Sequence, residues 1–490
     1  MSAKYSRRTL LALGLSVTAG AALAACSGGG GSQPAATAPP AAQATAPSQA
    51  AAPAGQPTTA KATAAPAAQR APAAGAIQLR LMRFAGVGWE QDVKFANEFQ
   101  QKNPNIKVIG EDTPYAQMNQ KVLTTGASGT IGDLFPGHTR WIAFWEYKGI
   151  CHELDPLVKA YPDETKFDDF FPSVIKDARG PGADGKLYLF PTIVHPGGNI
   201  AVLLNLDLID KAGLKPPASS DWTIQEMEAL ARGAGKPKDG IFGIEVTMSS
   251  PLYSTQVTRS WSSVAGPPAS SDSWVLSPDG AKSQLGSPPV KTAFEWYWQL
   301  VKDGFAPTSQ DQQPAGSTGD LFTAGKEVMQ SQIIGQPQAD HDIIGNKFKW
   351  TAVLWPKGPN GCRGTCLSYN TWSISAKTQH PDEAFHLMNA LTSTECGFWA
   401  GYDGHAVPYC RHSIWFDQRL WEKYPLTKDG AQVFQQGVDP FPMPANLRAQ
   451  EYQDTFQQNT QKYLDGKESW DQMFAHTQKA IQDILDQPRP

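Results

Sequence analysis

Apolar residues alternate with polar ones at Ile77, Leu79 and Leu81, the period of two that a half-buried strand requires. The run ends in the turn-prone Ala85-Gly86-Val87-Gly88. Beyond it Val93, Ala96 and Phe99 recur three apart, so the spacing predicts a helix over 91–103 with those three on one face. Asn103-Pro104 stops it, because a residue before proline avoids the helical region. Ile106-Lys107-Val108 then resumes an extended run, and a strand, helix, strand unit favours a parallel α/β sheet. Much later, His380-Pro381-Asp382 reads as a helix start, and Ala384, Leu387, Met388 and Leu391 share a helical face within 382–393. Trp470, Phe474, Thr477, Ile481 and Leu485 fall on one stripe of a long terminal helix. A further helix over 291–302 carries Trp296, Tyr297 and Trp298, read as packing. No repeat of fixed period interrupts this organisation.

Neither period exists in the first 76 residues. Residues 1–25 open with Lys4, Arg7 and Arg8, continue through a mildly apolar stretch and end in small residues, the layout of an export signal. The apolar stretch falls short of the ~20 residues that a bilayer-spanning helix needs. From Ser27 to Ala76 the chain is Gly, Ser, Ala, Pro, Thr and Gln with almost nothing large and apolar, so it cannot offset the entropy of folding. Residues 26–76 are expected to be a disordered tether, with a random-coil span of roughly 40 Å.

The chain has 490 residues, enough for two or three domains with a sizeable core. Its net charge of −4 includes only basic residues in the first 76 positions, leaving the remainder at −9. A nucleic-acid partner is not expected, because phosphate binding calls for a basic excess on the folded part. Fifteen Trp, 13 Tyr and 21 Phe supply flat amphipathic rings suited to ring-shaped or polyhydroxylated ligands. Of the cysteines, Cys362 with Cys366 and Cys396 with Cys410 are close enough in sequence to form local disulfides, and Cys151 is left over. A zinc site from Cys362, Cys366, Cys410 and His412 is the weaker alternative, since the spacing repeats no CxxC pattern.

Catalytic signatures are missing. Gly319-x5-Gly325-Lys326-Glu327 is one residue too long for a phosphate loop and has no hydroxyl after the lysine. Thr125-Gly126-Ala127-Ser128-Gly129 lacks the glycine two places before the serine that a nucleophile elbow uses. The histidines form no HExxH pair, with His380 and His386 read as surface residues, and Asp168-Asp169 is read as a solvated turn rather than a glycosidase dyad. No metal and no cofactor are expected.

Several blocks together carry a resemblance. Phe99-x3-Asn103-Pro104-x-Ile106-x-Val108, Tyr115, Gln120-Lys121-Val122 and Gly132-Asp133-Leu134-Phe135 come first. Gly185-Lys186-Leu187-Tyr188-x2-Pro191, 203–209, Lys211-Ala212-Gly213-Leu214 and Trp222-Thr223 follow, then 322–329 and 374–384. In this order they resemble the extracellular solute-binding proteins of bacterial ABC importers, in the large family that holds maltodextrin- and other sugar-binding proteins. Ser6-Arg7-Arg8-Thr9-Leu10-Leu11 resembles a twin-arginine export signal, and Leu23-Ala24-Ala25-Cys26 a lipobox whose cysteine is lipidated.

The resemblance implies an α/β, two-lobed, class II periplasmic-binding fold with the ligand in a cleft between the lobes. Lobe 1 is expected over 77–191 and again over 370–412, lobe 2 over 192–369, and a C-terminal helical segment over 413–490 packed mainly on lobe 2. It further implies a non-enzymatic, carbohydrate-capturing, monomeric lipoprotein that hands its solute to a membrane permease. An exported glycan hydrolase and a ligand sensor are the alternatives.

Sugars need rings for their C–H faces and paired polar groups for their hydroxyls. Residue types at strand ends, crossings and loops nominate Tyr115, Thr192, His195, Tyr369, Asn370, Trp372 and Tyr402, and the resemblance adds Trp89, Glu90, His138, Arg140 and Trp141 as first-lobe contacts and Tyr253 and Trp261 as the second lobe's aromatic contribution. Packing roles remain open for Trp89 and Trp141, and a buried structural role for His195. Where many relatives carry a tryptophan after the 322–329 block, this chain runs Gln330-Ser331-Gln332, so one expected stacking platform is missing.

Overall fold

The computed structural model describes residues 76–490 except 87–88, 180–184, 195–200, 247, 249–250, 267–268, 309–310, 312–319, 333–342, 365–368, 405–407, 436–445 and 489. The leader, Cys26, the tether up to residue 75, His195 and Cys366 lie outside the described residues, as does the side chain of Tyr253.

The alternation at the start of the folded part becomes strand β1 (Ile77–Phe84), with Leu79, Leu81 and Phe84 buried. Helix α1 (Glu90–Lys102) returns the chain to β2 (Ile106–Thr113), which pairs with β1 in parallel from Ile77 opposite Ile106 to Phe84 opposite Thr113. Ala96 and Phe99 face the core as expected, but Val93 is exposed and Gln91 and Asp92 are buried in its place. A step of three residues turns an α-helix by about 300°, so two such steps carry Val93 about 120° away from Phe99.

Helix α2 (Tyr115–Ser128) leads to β3 (Leu134–His138), and helix α3 (Thr139–Tyr147) follows without a loop. Thr125 to Ser128 are the last turn of α2, closed by Gly129 at φ +71°, a conformation glycine adopts without strain. Asp133, in the second sequence block, accepts from the Arg80 backbone N–H at 2.8 Å and the Thr378 hydroxyl at 2.6 Å. It thus ties β1 to the segment that returns late in the chain.

β4 (Phe190–Val194) and β9 (Tyr369–Ile374) complete the first sheet, ordered β2-β1-β3-β9-β4. β9 runs antiparallel to both neighbours. The local unit is parallel as its spacing indicated, but the sheet is mixed because its fourth strand arrives from a distant part of the chain. The second sheet, ordered β6-β7-β5-β8, uses β5 (Ala201–Asn205), β6 (Phe242–Glu245), β7 (Glu327–Gln332) and β8 (Trp350–Leu354). β5 is antiparallel to β7 and β8, and β6 is parallel to β7. Asn205 caps the short helix after β5, and the Trp222 indole donates to the Leu354 carbonyl at 2.8 Å.

Each sheet has its own apolar interior. One joins Leu79, Leu134, Phe135, Phe190, Trp372 and Trp415, and the other joins Val202, Ile244, Phe294, Val328, Tyr463 and Trp470. The fold is mixed α/β with two sheets. The return segment of the first interior reaches beyond His412, because Trp415 is fully buried there and Phe416 and Leu426 pack against it. Helices α4 (Ala449–Leu464) and α5 (Trp470–Leu485) then pack on each other over the second interior.

The disulfide expected between Cys396 and Cys410 does not form. Both are free and buried, Cys396 against the Tyr409 hydroxyl and Cys410 donating to the Pro191 carbonyl at 3.2 Å. Cys362 is likewise free, donating to the Gly266 carbonyl at 3.0 Å, and Cys151 is free and buried. Among the described residues no group of His, Cys, Asp and Glu could hold a metal ion. Asp169 is not merely solvated: it accepts from the Ser413 amide at 2.9 Å and hydroxyl at 2.6 Å, beside the buried Arg411.

Candidate ligand-binding cleft

The chain leaves the first sheet at Val194 and enters the second at Ala201, then leaves at Leu354 and re-enters at Tyr369. These crossings sit at the same end of the first sheet as the C-terminal ends of β1, β2 and β3. In open α/β sheets this is the end where ligands bind.

Three strand ends deliver an aromatic face there. β1 ends in Phe84, on which Trp89 rests with ring centroids 4.6 Å apart. Pro114 turns the chain out of β2 and places Tyr115 4.9 Å from Phe84. β3 ends in His138, and the first turn of α3 supplies Arg140 and Trp141. The Trp141 ring lies 5.3 Å from Tyr115 and 5.9 Å from His138. Tyr115 and Trp89 are half-buried, whereas Trp141 is 6% and His138 8% exposed. Trp141 therefore both backs the face and fills the interior, against Trp145 at 5.8 Å.

His138 caps α3, its Nδ1 accepting from the Arg140 backbone N–H at 3.3 Å. Burial, and then the charge of Arg140, hold its imidazole well below the usual histidine range, so it is neutral with Nδ1 as acceptor near pH 7. Burial pushes the Tyr115 phenol up, against the opposing pull of Arg140. The Arg140 guanidinium lies 5.6 Å from the Tyr115 ring and 5.2 Å from the Trp141 ring, and Nη2 donates to the Tyr115 oxygen at 3.1 Å. Asn370, half-buried, pairs with His138 across the β3–β9 ladder.

The second sheet brings an unlike set of groups. Gln332, opposite Ala201 at the crossing, donates to the Gln330 side chain at 3.0 Å, and Gln330 donates to Glu245 at 3.0 Å. α4 packs on α3 and carries Tyr452 close enough to Arg140 for the two to interact electrostatically. One sheet end carries rings and a cation, and the other carries amides and a carboxylate, with the Tyr452 phenol buried near Arg140. Together these are the groups needed to bind a polyhydroxylated solute by stacking and paired hydrogen bonds.

The remaining nominated residues stand elsewhere. Glu90 is exposed at the start of α1 beside Trp89. Thr192 is buried in β4, its carbonyl accepting from the Cys410 amide at 2.8 Å. Tyr369 is buried and donates to Asp177 at 2.6 Å. Trp372 packs within the first interior, and Trp261 lies 5.1 Å from Trp296 in the second. Tyr402 joins a separate cluster, stacked 5.1 Å from Phe398 and under the Lys423 ammonium at 4.1 Å.

Sequence reasoning did not single out Phe84, Tyr452, Glu245, Gln330 and Gln332, of which Phe84, Tyr452 and Gln330 are buried behind the groups described above. Phe84 falls out of step with the 77, 79, 81 alternation, on the same side of β1 as Met82, and reads as core. Gln330 and Gln332 were visible as the place of an absent tryptophan, and they fill it with side-chain amides.

The chain matches the family of bacterial extracellular solute-binding proteins over residues 94–404, well over half its length. It belongs to that family, whose members act outside the cytoplasm. A protein of Brucella abortus (strain 2308) named as a binding protein is 26% identical over 326 residues, 65% of this chain and 72% of the relative. Among solved structures, an ABC substrate-binding protein of Listeria monocytogenes in complex with cycloalternan superposes with a TM-score of 0.68 at 18% identity, over 84% of this chain and 99% of that one. The GacH receptor of Streptomyces glaucescens, solved unliganded and with acarbose, gives 0.66 at 17% identity, over 84% and 98%. A solute-binding protein of Agrobacterium radiobacter K84 in complex with ribitol gives 0.66 at 20% identity, over 83% and 98%. The fold is thus the two-lobed one of these binding proteins. No helix among the described residues is long and apolar enough to cross a membrane.

Proposed function

We propose that this protein is the solute-capturing component of an ABC importer and that its solute is a sugar or a related polyol. The observation that carries this reading is the ring face of Phe84, Trp89, Tyr115 and Trp141, with Arg140 at its rim, set where the chain crosses to a sheet end of side-chain amides. A ligand touching both sets stabilises whichever lobe arrangement lets it do so, which is how capture becomes a signal to a permease. The ligands named for the Listeria, Streptomyces and Agrobacterium proteins support the same chemical class. The leader and Cys26 support export and lipid anchoring, with 26–76 as the leash that keeps a monomeric receptor near its permease.

The test is a thermal-shift and calorimetric screen of the purified chain against mono- and disaccharides, polyols and amino-acid controls, followed by chromatography of the sugar. Stabilisation by a sugar or polyol that is recovered chemically intact is the expected result. A hydrolysed product would convert the reading to that of a glycan hydrolase. Stabilisation by amino acids alone would end the carbohydrate assignment.

A further inference from the structure

Several other arginines are matched to carboxylates: Arg83 to Asp112 at 2.8 Å, Arg179 to Asp155 at 2.5 Å, Arg232 to Asp303 at 2.8 Å and Arg448 to Glu451 at 2.8 Å. The buried Arg363 spends its guanidinium on the backbone carbonyls of Trp355 and Ser220. Arg140 does neither. Among the described residues it has no carboxylate within ion-pair distance, its single side-chain hydrogen bond goes to the Tyr115 oxygen, and its Nε is buried with no acceptor. Two rings flank the guanidinium and restrict where it can swing, with Tyr452 as its neighbour from the second lobe.

A guanidinium loses much of its hydration against two rings, and a buried donor without an acceptor is costly. Such a group is short of an anion that can accept from its fork. The neutral His138 beside it supplies no counter-charge.

We infer that Arg140 is a specificity-determining residue that receives an anionic oxygen group of the ligand, so that the preferred solute is an acidic sugar, a uronate or a sugar phosphate, rather than its neutral counterpart. This rests on the sugar-class reading above and narrows it. The body of the sugar lies on the half-buried Tyr115, with Trp141 behind it, and its carboxylate or phosphate oxygens accept from guanidinium N–H groups that have no acceptor among the described residues.

The experiment is isothermal titration of the full chain with D-galacturonate, D-galactose, D-glucose 6-phosphate and D-glucose, at about 20 mM and about 500 mM NaCl. Expected is binding of one acidic member at least about tenfold tighter than its neutral partner at low salt, with the preference shrinking at high salt. The galacturonate and glucose 6-phosphate arms distinguish carboxylate from phosphate. In Arg140→Gln the acid-over-neutral ratio collapses towards one, while Arg140→Lys, a point charge without the fork, keeps part of it. Melting curves confirm that both variants fold, and the salt series on the unaltered chain tests the same claim without any variant. Equal binding of acid and neutral partners, tighter binding of the neutral one, or binding of neither acid overturns the inference. The neutral sugars report separately on the wider reading, because their binding leaves the carbohydrate assignment standing when the acidic preference fails.

Discussion

Asp177 is a carboxyl held under the Tyr369 hydroxyl, and burial pushes it up to about 7 although that hydrogen bond works in the opposite direction. The native protein therefore keeps a proton that the unfolded chain releases near the ordinary value of 3.8. The stability this contributes is complete below that value and is lost as pH rises through about 7. Melting temperatures of Asp177→Asn are expected to fall less steeply than those of the unaltered protein between pH 4 and 7, and parallel curves would show that Asp177 is ionised throughout. His138 has the opposite sign. Its imidazole is held below 6.5, so its share of stability is lost as acidification charges the unfolded chain first. The cysteines give a third test at this scale. Burial raises the thiols of Cys151, Cys396 and Cys410, and thiolate rather than thiol reacts with alkylating reagents. Peptides containing them are expected to resist iodoacetamide in the folded protein and to be labelled without reductant after denaturation, as read by mass spectrometry.

At the scale of elements, what was legible follows from how far apart the cooperating residues lie. β1, α1, β2 and α5 are visible because one element carries its own period. Tyr115, His138, Arg140 and Trp141 could be nominated because strand ends leave residues just after each apolar run, and the structure brings these four together. Tyr452 lies on a long amphipathic helix where a buried tyrosine looks like any other, and its nearness to Arg140 is a tertiary fact that no spacing encodes. The pairings of Cys396 with Cys410 and of Tyr369 with the cleft failed for the same reason: closeness along the chain does not fix which way a side chain turns. One element boundary carries a sharp test. A Cβ at Gly137 would meet the Trp145 ring at 2.6 Å and the Thr371 hydroxyl at 2.8 Å, immediately before His138. Gly137→Ala is expected to cost about 1–3 kcal/mol of stability, measured by denaturant unfolding. It should also weaken ligand binding, because the strand must shift the residues that start α3.

Across the whole molecule, the two interiors are joined, among the described residues, at a limited set of places that includes helix Pro425–Gln435 on β8. Ala201 and Leu354 of the second sheet reach the first interior, α3 meets α4, and Ser220 donates to Asp429 at 2.5 Å. Limited contact of this kind leaves relative movement as the expected response to a solute bound between the halves. Small-angle scattering is expected to show a smaller radius of gyration once the stabilising sugar is added, and an unchanged curve at saturation would exclude closure. The placing of β9 has a different consequence. Among the described residues β4 has β9 as its one strand neighbour in the sheet and β9 joins it to β3, so until residues 369–374 have been synthesised the first sheet lacks the strand that joins its two parts. A nascent chain emerging from the ribosome cannot finish its amino-terminal half early. Its maturation is governed by the slow search of residues more than two hundred positions apart, and a fragment ending before the second crossing is expected to remain a chaperone client rather than a folded half-receptor.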